Sequence, residues 1–361
     1  MARPNEARID LQALRHNLAH AKSLAAGTSV IAVVKANAYG HGAATIAKAL
    51  APLTDALAVA CTEEALALRE AGIESPLLLL QGVFEPSEIP MASDLNLWIM
   101  VNTQEHLGWL ESANVAKPIR CWLKIDTGMH RLGVRPTHAA EFYQRLRQTP
   151  CVDPNIVLAT HFACADDLAS DLTSEQIAVF EHAVEGLEGA RSLANSAGIL
   201  AWPTSHGDWI RPGYMLYGNS PMHQAHPNTD ALKPVMTLVS SVTALRDVAR
   251  GRSVGYGAIW RAQRPSRIAT VTIGYGDGYP RLAPAGTPVL IKGQRASLAG
   301  RVSMDMITVD VTDIPDVAIG DEVILWGEGL PVDEVATHAG TIGYELTTRM
   351  PARTPRVVVS D

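Results

Sequence analysis

From residue 30 onward, short apolar runs alternate with segments whose apolar residues recur at helical spacing. The runs fall at 30–34, 56–60, 76–80, 95–101, 119–125, 156–160 and 191–194, with a weaker eighth inside 202–211. Short, uniformly apolar runs are what strands covered on both faces look like. Between them, 42–50, 62–71, 103–111, 137–148 and 173–186 carry the helical period. Thr62 ahead of Glu63 and Glu64 reads as a helix start, and Thr173 with Gln176 three positions later reads as a capping box. Upstream, Ile9, Leu11, Leu14, Leu18, Ala21 and Leu24 predict a first helix over 9–24 with Asp10 as its N-cap. About eight strand–helix repeats in roughly two hundred residues predict a parallel (β/α)8 barrel of the TIM type. An open doubly wound sheet is the alternative, although no GxGxxG follows an early strand.

Past about residue 230 the texture changes. Helical periodicity nearly disappears, and β-branched runs at 235–244, 266–273, 287–291, 306–311 and 322–326 are separated by Gly, Pro and Asp. A second, mostly β-strand domain is expected there. The boundary falls in the polar, proline-bearing stretch 221–234, which divides the chain into 1–230 and 231–361.

Composition narrows the field without naming a function. A chain of 361 residues is long for one average domain, and 47% hydrophobic with 19% charged residues supplies a large core. A net charge of −7 without long charged runs points to neither nucleic acid nor a membrane surface as partner. The start, MARPNEARID, lacks the apolar segment of about 7–15 residues that a signal peptide requires. Cys61, Cys121, Cys151 and Cys164 show no CxxC pairing. Both features predict a cytoplasmic, reduced protein. Cys164 lies near His161, but a zinc site would need two more ligands at sensible spacing, so no metal is expected.

The chemistry gathers at strand ends. In VIAVVKANAYGHG, Lys35 follows a five-residue apolar run and Tyr39 comes four residues later. A lysine at the carboxyl end of a buried barrel strand sits where such folds keep their chemistry. Desolvation there lowers its pKa, as a Schiff-base lysine requires. Taken alone, it could equally be a lysine that snorkels to solvent. Tyr39 is expected at the start of the next helix, a natural anion site. Lys124, Asp126 and Arg131 lie in CWLKIDTGMHRLG, the first two on one strand face. His161 ends IVLATHFACAD, Asn195 and Ser196 end SLANSAG, and Arg211, Gly213 and Tyr214 lie in WIRPGYMLYG. Five strand ends with donors and cations around one lysine describe a pocket for an anionic ligand that reacts with an amine.

Together VVKANAYGHG, KIDTGMHRLG, THFACAD, NSAG and RPGYMLYG, with VGYGA, IGYGDGYPR, GRVSMDM and TIGYEL in the second half, resemble the alanine racemase family. These are fold-type III enzymes that use pyridoxal 5′-phosphate (PLP), and the likeness runs over nearly the whole chain. The resemblance implies that Lys35 holds PLP covalently and later acts as one of two catalytic bases. Tyr39, Ser196, Tyr344 and the amides of Gly213 and Tyr214 would hold the phosphate, with Asn195 beside them. Arg211 would face the pyridine nitrogen, oriented by His161. An arginine, with pKa above about 12, cannot accept that proton, so the ring stays neutral and side reactions are limited. Arg131 would meet the cofactor phenolate and the substrate carboxylate. Lys124 would either carry a carbamate that steadies Arg131 or pair with Asp126.

The resemblance makes Tyr256 the second base, donated across an obligatory homodimer, with Tyr275, Met304 and Asp305 narrowing the entrance from the same side. The implied activity is interconversion of L- and D-alanine, either supplying D-alanine for peptidoglycan or breaking alanine down. The alternatives are a racemase of broader specificity for small amino acids, a non-catalytic PLP-binding protein, and an amino-acid decarboxylase on the same two-domain plan. The chain departs from the family pattern at Gly276, where alanine is common, and at Ser303, often cysteine. Both departures touch only the shape of the entrance.

Overall fold

The computed structural model describes residues 3–360. Eight parallel strands form the first sheet: β2 (Ser29–Val33), β3 (Ala56–Val59), β4 (Leu77–Leu79), β5 (Leu97–Val101), β6 (Cys121–Lys124), β7 (Val157–Ala159), β8 (Ala190–Ser192) and β9 (Trp209–Ile210). They run β8-β7-β6-β5-β4-β3-β2-β9. The circle closes through Asp208 N to Arg191 O (2.8 Å) and Arg211 N to Ala194 O (3.1 Å). Strands β3 to β7 are buried at every position. Helices outside and side chains inside cover both faces, which is why the sequence shows continuous apolar runs.

The second sheet is mostly antiparallel. It contains β1 (Glu6–Asp10), β10 (Met236–Val248), β13 (Ser266–Val271), β14 (Pro288–Ile291), β15 (Gln294–Leu298), β16 (Ile307–Asp310), β17 (Glu322–Trp326) and β18 (Arg356–Ser360). A separate two-stranded ladder joins β11 (Ser253–Val254) to β12 (Trp260–Arg261).

Several local expectations are corrected. Residues 6–10 form strand β1, which pairs with β10 and β18, and the helix spans Leu11–Leu24. Asp10 does cap it, accepting from Ala13 N at 2.8 Å. Thr62 is the first helical residue and caps nothing, because Cys61 occupies the N-cap position. The helix read from Thr173 starts at Leu172, so Thr173 is buried inside it. Gln176 then points into the core and forms no capping box. The chain also carries the short helices Glu88–Asp94, Ser196–Ala201, Val332–Ala339 and Gly343–Thr348.

Candidate active site

The turn after β2 sets the site. Tyr39 does not open a right-handed helix: Ala36, Asn37, Ala38 and Tyr39 all have left-handed backbones, with φ of 52°, 55°, 53° and 52°, and the next helix begins at Ala43. Left-handed geometry costs L-residues about 1–2 kcal/mol each, so other bonds must impose it. Glu64 supplies two of them, accepting from Ala36 N through Oε1 and from Ala60 N through Oε2, both at 2.7 Å. Asn37 Oδ1 accepts from Ala43 N at 2.8 Å, and Arg356 Nε donates to Gly40 O at 2.9 Å. The strained turn fixes where Lys35 and Tyr39 leave the backbone. Glu64→Gln keeps one acceptor and sets an NH2 group against the other amide. It is expected to lower stability by about 1–3 kcal/mol. Urea unfolding checks this, and an unchanged midpoint would refute the clamp.

A cavity of about 660 Å³ opens at the carboxyl ends of the barrel strands. Lys35, Tyr39, Lys124, Arg131, His161, Asn195, Ser196, Arg211, Gly213, Tyr214 and Tyr344 all line it. Thus the barrel-half residues predicted from sequence, Asp126 excepted, meet in one place together with Tyr344 of the second domain. Tyr256, Tyr275, Met304 and Asp305 do not line it. Tyr256 is 70% exposed on the turn between β11 and β12. Tyr275 and Met304 are also exposed, on neighbouring turns joined by Tyr275 N to Ser303 O and Gly276 N to Met304 O, and the Asp305 carboxylate is paired with Arg353.

Cations dominate the lining. Burial, with Arg131 next, lowers the Lys35 pKa, and Glu64 partly opposes this. Burial pulls Arg211 down to about 10, which leaves it charged at neutral pH. Its Nη1 donates to Ser192 O (2.8 Å) and Ser192 Oγ (2.5 Å), and its Nη2 to Thr160 O (2.6 Å) and Leu193 O (3.1 Å). These bonds, with none from His161, orient Arg211, and none of them uses Nε. Burial and the charges of Arg211, Lys124, Arg131 and Lys35 push His161 well below the ordinary imidazole range, so it is neutral. Gln176 Nε2 donates to the His161 carbonyl at 3.1 Å.

Lys124 is buried, and desolvation first, then Arg211 and Arg131, brings its pKa to about 8. The expected pairing with Asp126 does not form. The chain leaves β6 at Lys124, and the Asp126 carboxylate turns to accept from Gly128 N (3.1 Å) and His130 N (2.9 Å). A lysine lowered from 10.5 to about 8 sheds its proton in the folded chain while the unfolded chain still holds it. Stability therefore rises with pH between those values. In bicarbonate-free buffer, where the amine is unmodified, Lys124→Met should abolish that rise, and denaturant unfolding at pH 8 and pH 10 reads it; parallel profiles for both proteins would refute the assignment.

At the other end of the cavity the donors are neutral. Ser196 Oγ accepts from Gly213 N (2.9 Å) and Met215 N (3.3 Å), so the Gly213 amide is engaged and not free for a ligand. The Tyr39 and Tyr344 hydroxyls make no hydrogen bond within the described chain. A Cβ added at Gly213 would stand 2.6 Å from the Tyr39 hydroxyl, so only glycine lets that phenol lie there. Asn195 caps its helix, accepting from Gly198 N at 3.0 Å. Glu64, Gln176 and Ser192 were not legible as site residues, since each acts through a backbone group distant in sequence.

A closed parallel barrel, a partly desolvated lysine at a strand end, surrounding cations and a neutral hydroxyl cluster define a barrel enzyme with a cationic cavity at its strand ends. Residues 9–221 match the alanine racemase N-terminal domain and residues 235–358 the C-terminal domain. The chain belongs to the alanine racemase family. It is 49% identical to the alanine racemase of Pseudomonas taetrolens over 359 residues, 99% of this chain and 100% of that one. Identity to the catabolic alanine racemase of Pseudomonas putida is also 49%, with the same coverage. The crystal structure of the biosynthetic alanine racemase from Pseudomonas aeruginosa superposes with a TM-score of 0.95 at 49% identity, covering 99% of each chain.

Proposed function

We propose that this enzyme interconverts L- and D-alanine by a two-base mechanism with PLP, and that it works as a cytoplasmic homodimer. The carrying observation is that Lys35, Arg211 and the unpartnered Tyr39 and Tyr344 hydroxyls share one cavity. That donor set fits the cofactor: an amine for the aldehyde, a charged guanidinium with Nε uncommitted for the ring nitrogen, and neutral hydroxyls for a dianion. Ser196, bound to Gly213 N and Met215 N, and the Tyr214 amide complete the phosphate end, and Asn195 braces it. When bound, PLP supplies an electron sink that acidifies the Cα–H of an attached amino acid.

The chain's own groups do the rest. Lys35, its pKa lowered by burial, takes or delivers a proton at Cα on one face. A phenol must serve the opposite face, and Tyr256 of a second copy is assigned that task, with Tyr275, Met304 and Asp305 of that copy narrowing the entrance. Arg131 holds the substrate carboxylate. With Asp126 turned away, Lys124 is read as a carbamate between Arg131 and Arg211, formed from its partly neutral amine. Carbon-13 bicarbonate NMR would show that carbamate, and its absence would leave a free amine there. The reaction serves either supply of D-alanine for peptidoglycan or alanine breakdown. Among the described residues no helix is long and apolar enough to cross a membrane.

Borohydride reduction of PLP-loaded protein should fix the cofactor on Lys35, and L-alanine should lose its optical rotation with the unreduced enzyme. Retained rotation, or label on another lysine, would overturn this reading.

A further inference from the structure

Tyr214 belongs to two parts of the molecule at once. It lines the cavity, and its hydroxyl donates to Asp333 Oδ1 at 2.6 Å across 119 positions of sequence. Asp333 lies in the helix Val332–Ala339 of the second domain. Burial raises its pKa, and burial with the neighbouring Asp333 charge raises that of the Tyr214 phenol, so the proton stays on the tyrosine. The same carboxylate lies against Gly343, the first residue of the helix Gly343–Thr348. Ile342, at that helix's N-cap position, offers no side-chain acceptor.

The next residue is Tyr344. Its ring stacks on Tyr214 with centroids 3.5 Å apart and planes 13° from parallel. A Cβ added at Gly343 would collide with both the Tyr214 hydroxyl and Asp333 Oδ1, so the three groups are packed to contact. The Tyr344 phenol is therefore held through its ring by Tyr214, whose hydroxyl Asp333 binds, while the backbone of Gly343 packs against that pair.

We propose that Asp333 is a positioning residue for the phosphate end of the cofactor site, fixing Tyr344 by binding the hydroxyl of Tyr214, on whose ring Tyr344 stacks, and by packing against Gly343. This rests on the reading that Tyr344 faces the phosphate of PLP. A carboxylate that only stapled the two domains would affect stability and not ligand choice. One that places a phosphate donor affects ligands with a phosphate and spares those without.

The test compares PLP with pyridoxal, which lacks the phosphate, on full-length protein stripped of cofactor, reading the visible absorbance of the adduct at Lys35. In Asp333→Ala the PLP dissociation constant should rise about tenfold, as for loss of one charge-assisted hydrogen bond, with pyridoxal unchanged. Asp333→Asn still accepts from the Tyr214 hydroxyl and should recover most of the affinity. Tyr214→Phe removes the same bond from the barrel side and serves if Asp333→Ala fails to fold. The double variant should lose no more than Asp333→Ala, because the two share one interaction. If PLP and pyridoxal weaken together, or neither weakens while the melting temperature falls, Asp333 is a staple and the inference is overturned. If wild-type protein forms no adduct with PLP at all, the cofactor reading itself fails, a result distinct from the other two.

Discussion

Mixing Lys35→Ala chains with Tyr256→Phe chains should restore about a quarter of the wild-type activity, although each variant alone is expected to fall about 10²–10⁴-fold. Racemisation removes a proton from one face of a planar carbon and returns one to the other, so a site needs two bases. The cavity of a single chain offers the Lys35 amine, while Tyr256 stands 70% exposed outside it. In a mixed dimer, one site combines Lys35 from the Tyr256→Phe chain with Tyr256 from the Lys35→Ala chain, and the other site has neither. Random pairing makes about half the dimers mixed, each with one of two sites intact, which gives the quarter. The Tyr256→Phe homodimer should still show the visible absorbance of bound PLP, which separates loss of a base from loss of the cofactor. Two affinity tags isolate the mixed species. Mixed dimers without recovered activity, or an active monomer, would refute shared sites.

Arg211→Met should destabilise the protein by about 2–6 kcal/mol, at about 1–3 kcal/mol for each of the two carbonyls left without a donor. Arg211 is 5% exposed and bonds three main-chain oxygens at the ends of neighbouring strands. Ser192 O keeps a second donor in Thr160 N at 3.1 Å, so the loss falls on Thr160 O and Leu193 O. This is also the seam where β8 and β9 meet without a regular ladder, so the guanidinium helps close the barrel as well as facing the cavity. Arg211→Lys, with a single ammonium in place of the planar fork, should recover only part of the loss. Urea unfolding with an unchanged slope gives the number, and a loss under about 1 kcal/mol would mean that water replaces the guanidinium without penalty.

Much of this site could be read along the chain because barrels place chemistry at strand ends, and strand ends are marked where an apolar run stops. Lys35, Lys124, His161, Asn195 and Arg211 are all found that way. The left-handed turn was not legible. KANAY is rich in alanine and by propensity favours a right-handed helix, yet bonds from Glu64 and Arg356, distant in sequence, hold it otherwise. Strand β1 was absorbed into the following helix because its partners, β10 and β18, lie over two hundred residues away. Asp333 carried no local signal at all.

The chain's own pattern determined the barrel strands and which functional groups ride on their ends, because burial on both faces leaves a local trace in the residues themselves. The folded molecule alone decided which of those groups meet. Asp126 turned from Lys124 to its own loop, Asp333 reached across to Tyr214, and Tyr256 was left outside the cavity. Hydrogen-bond partners are chosen among whatever donors and acceptors the fold brings within about 3 Å, and no spacing along the chain records that choice.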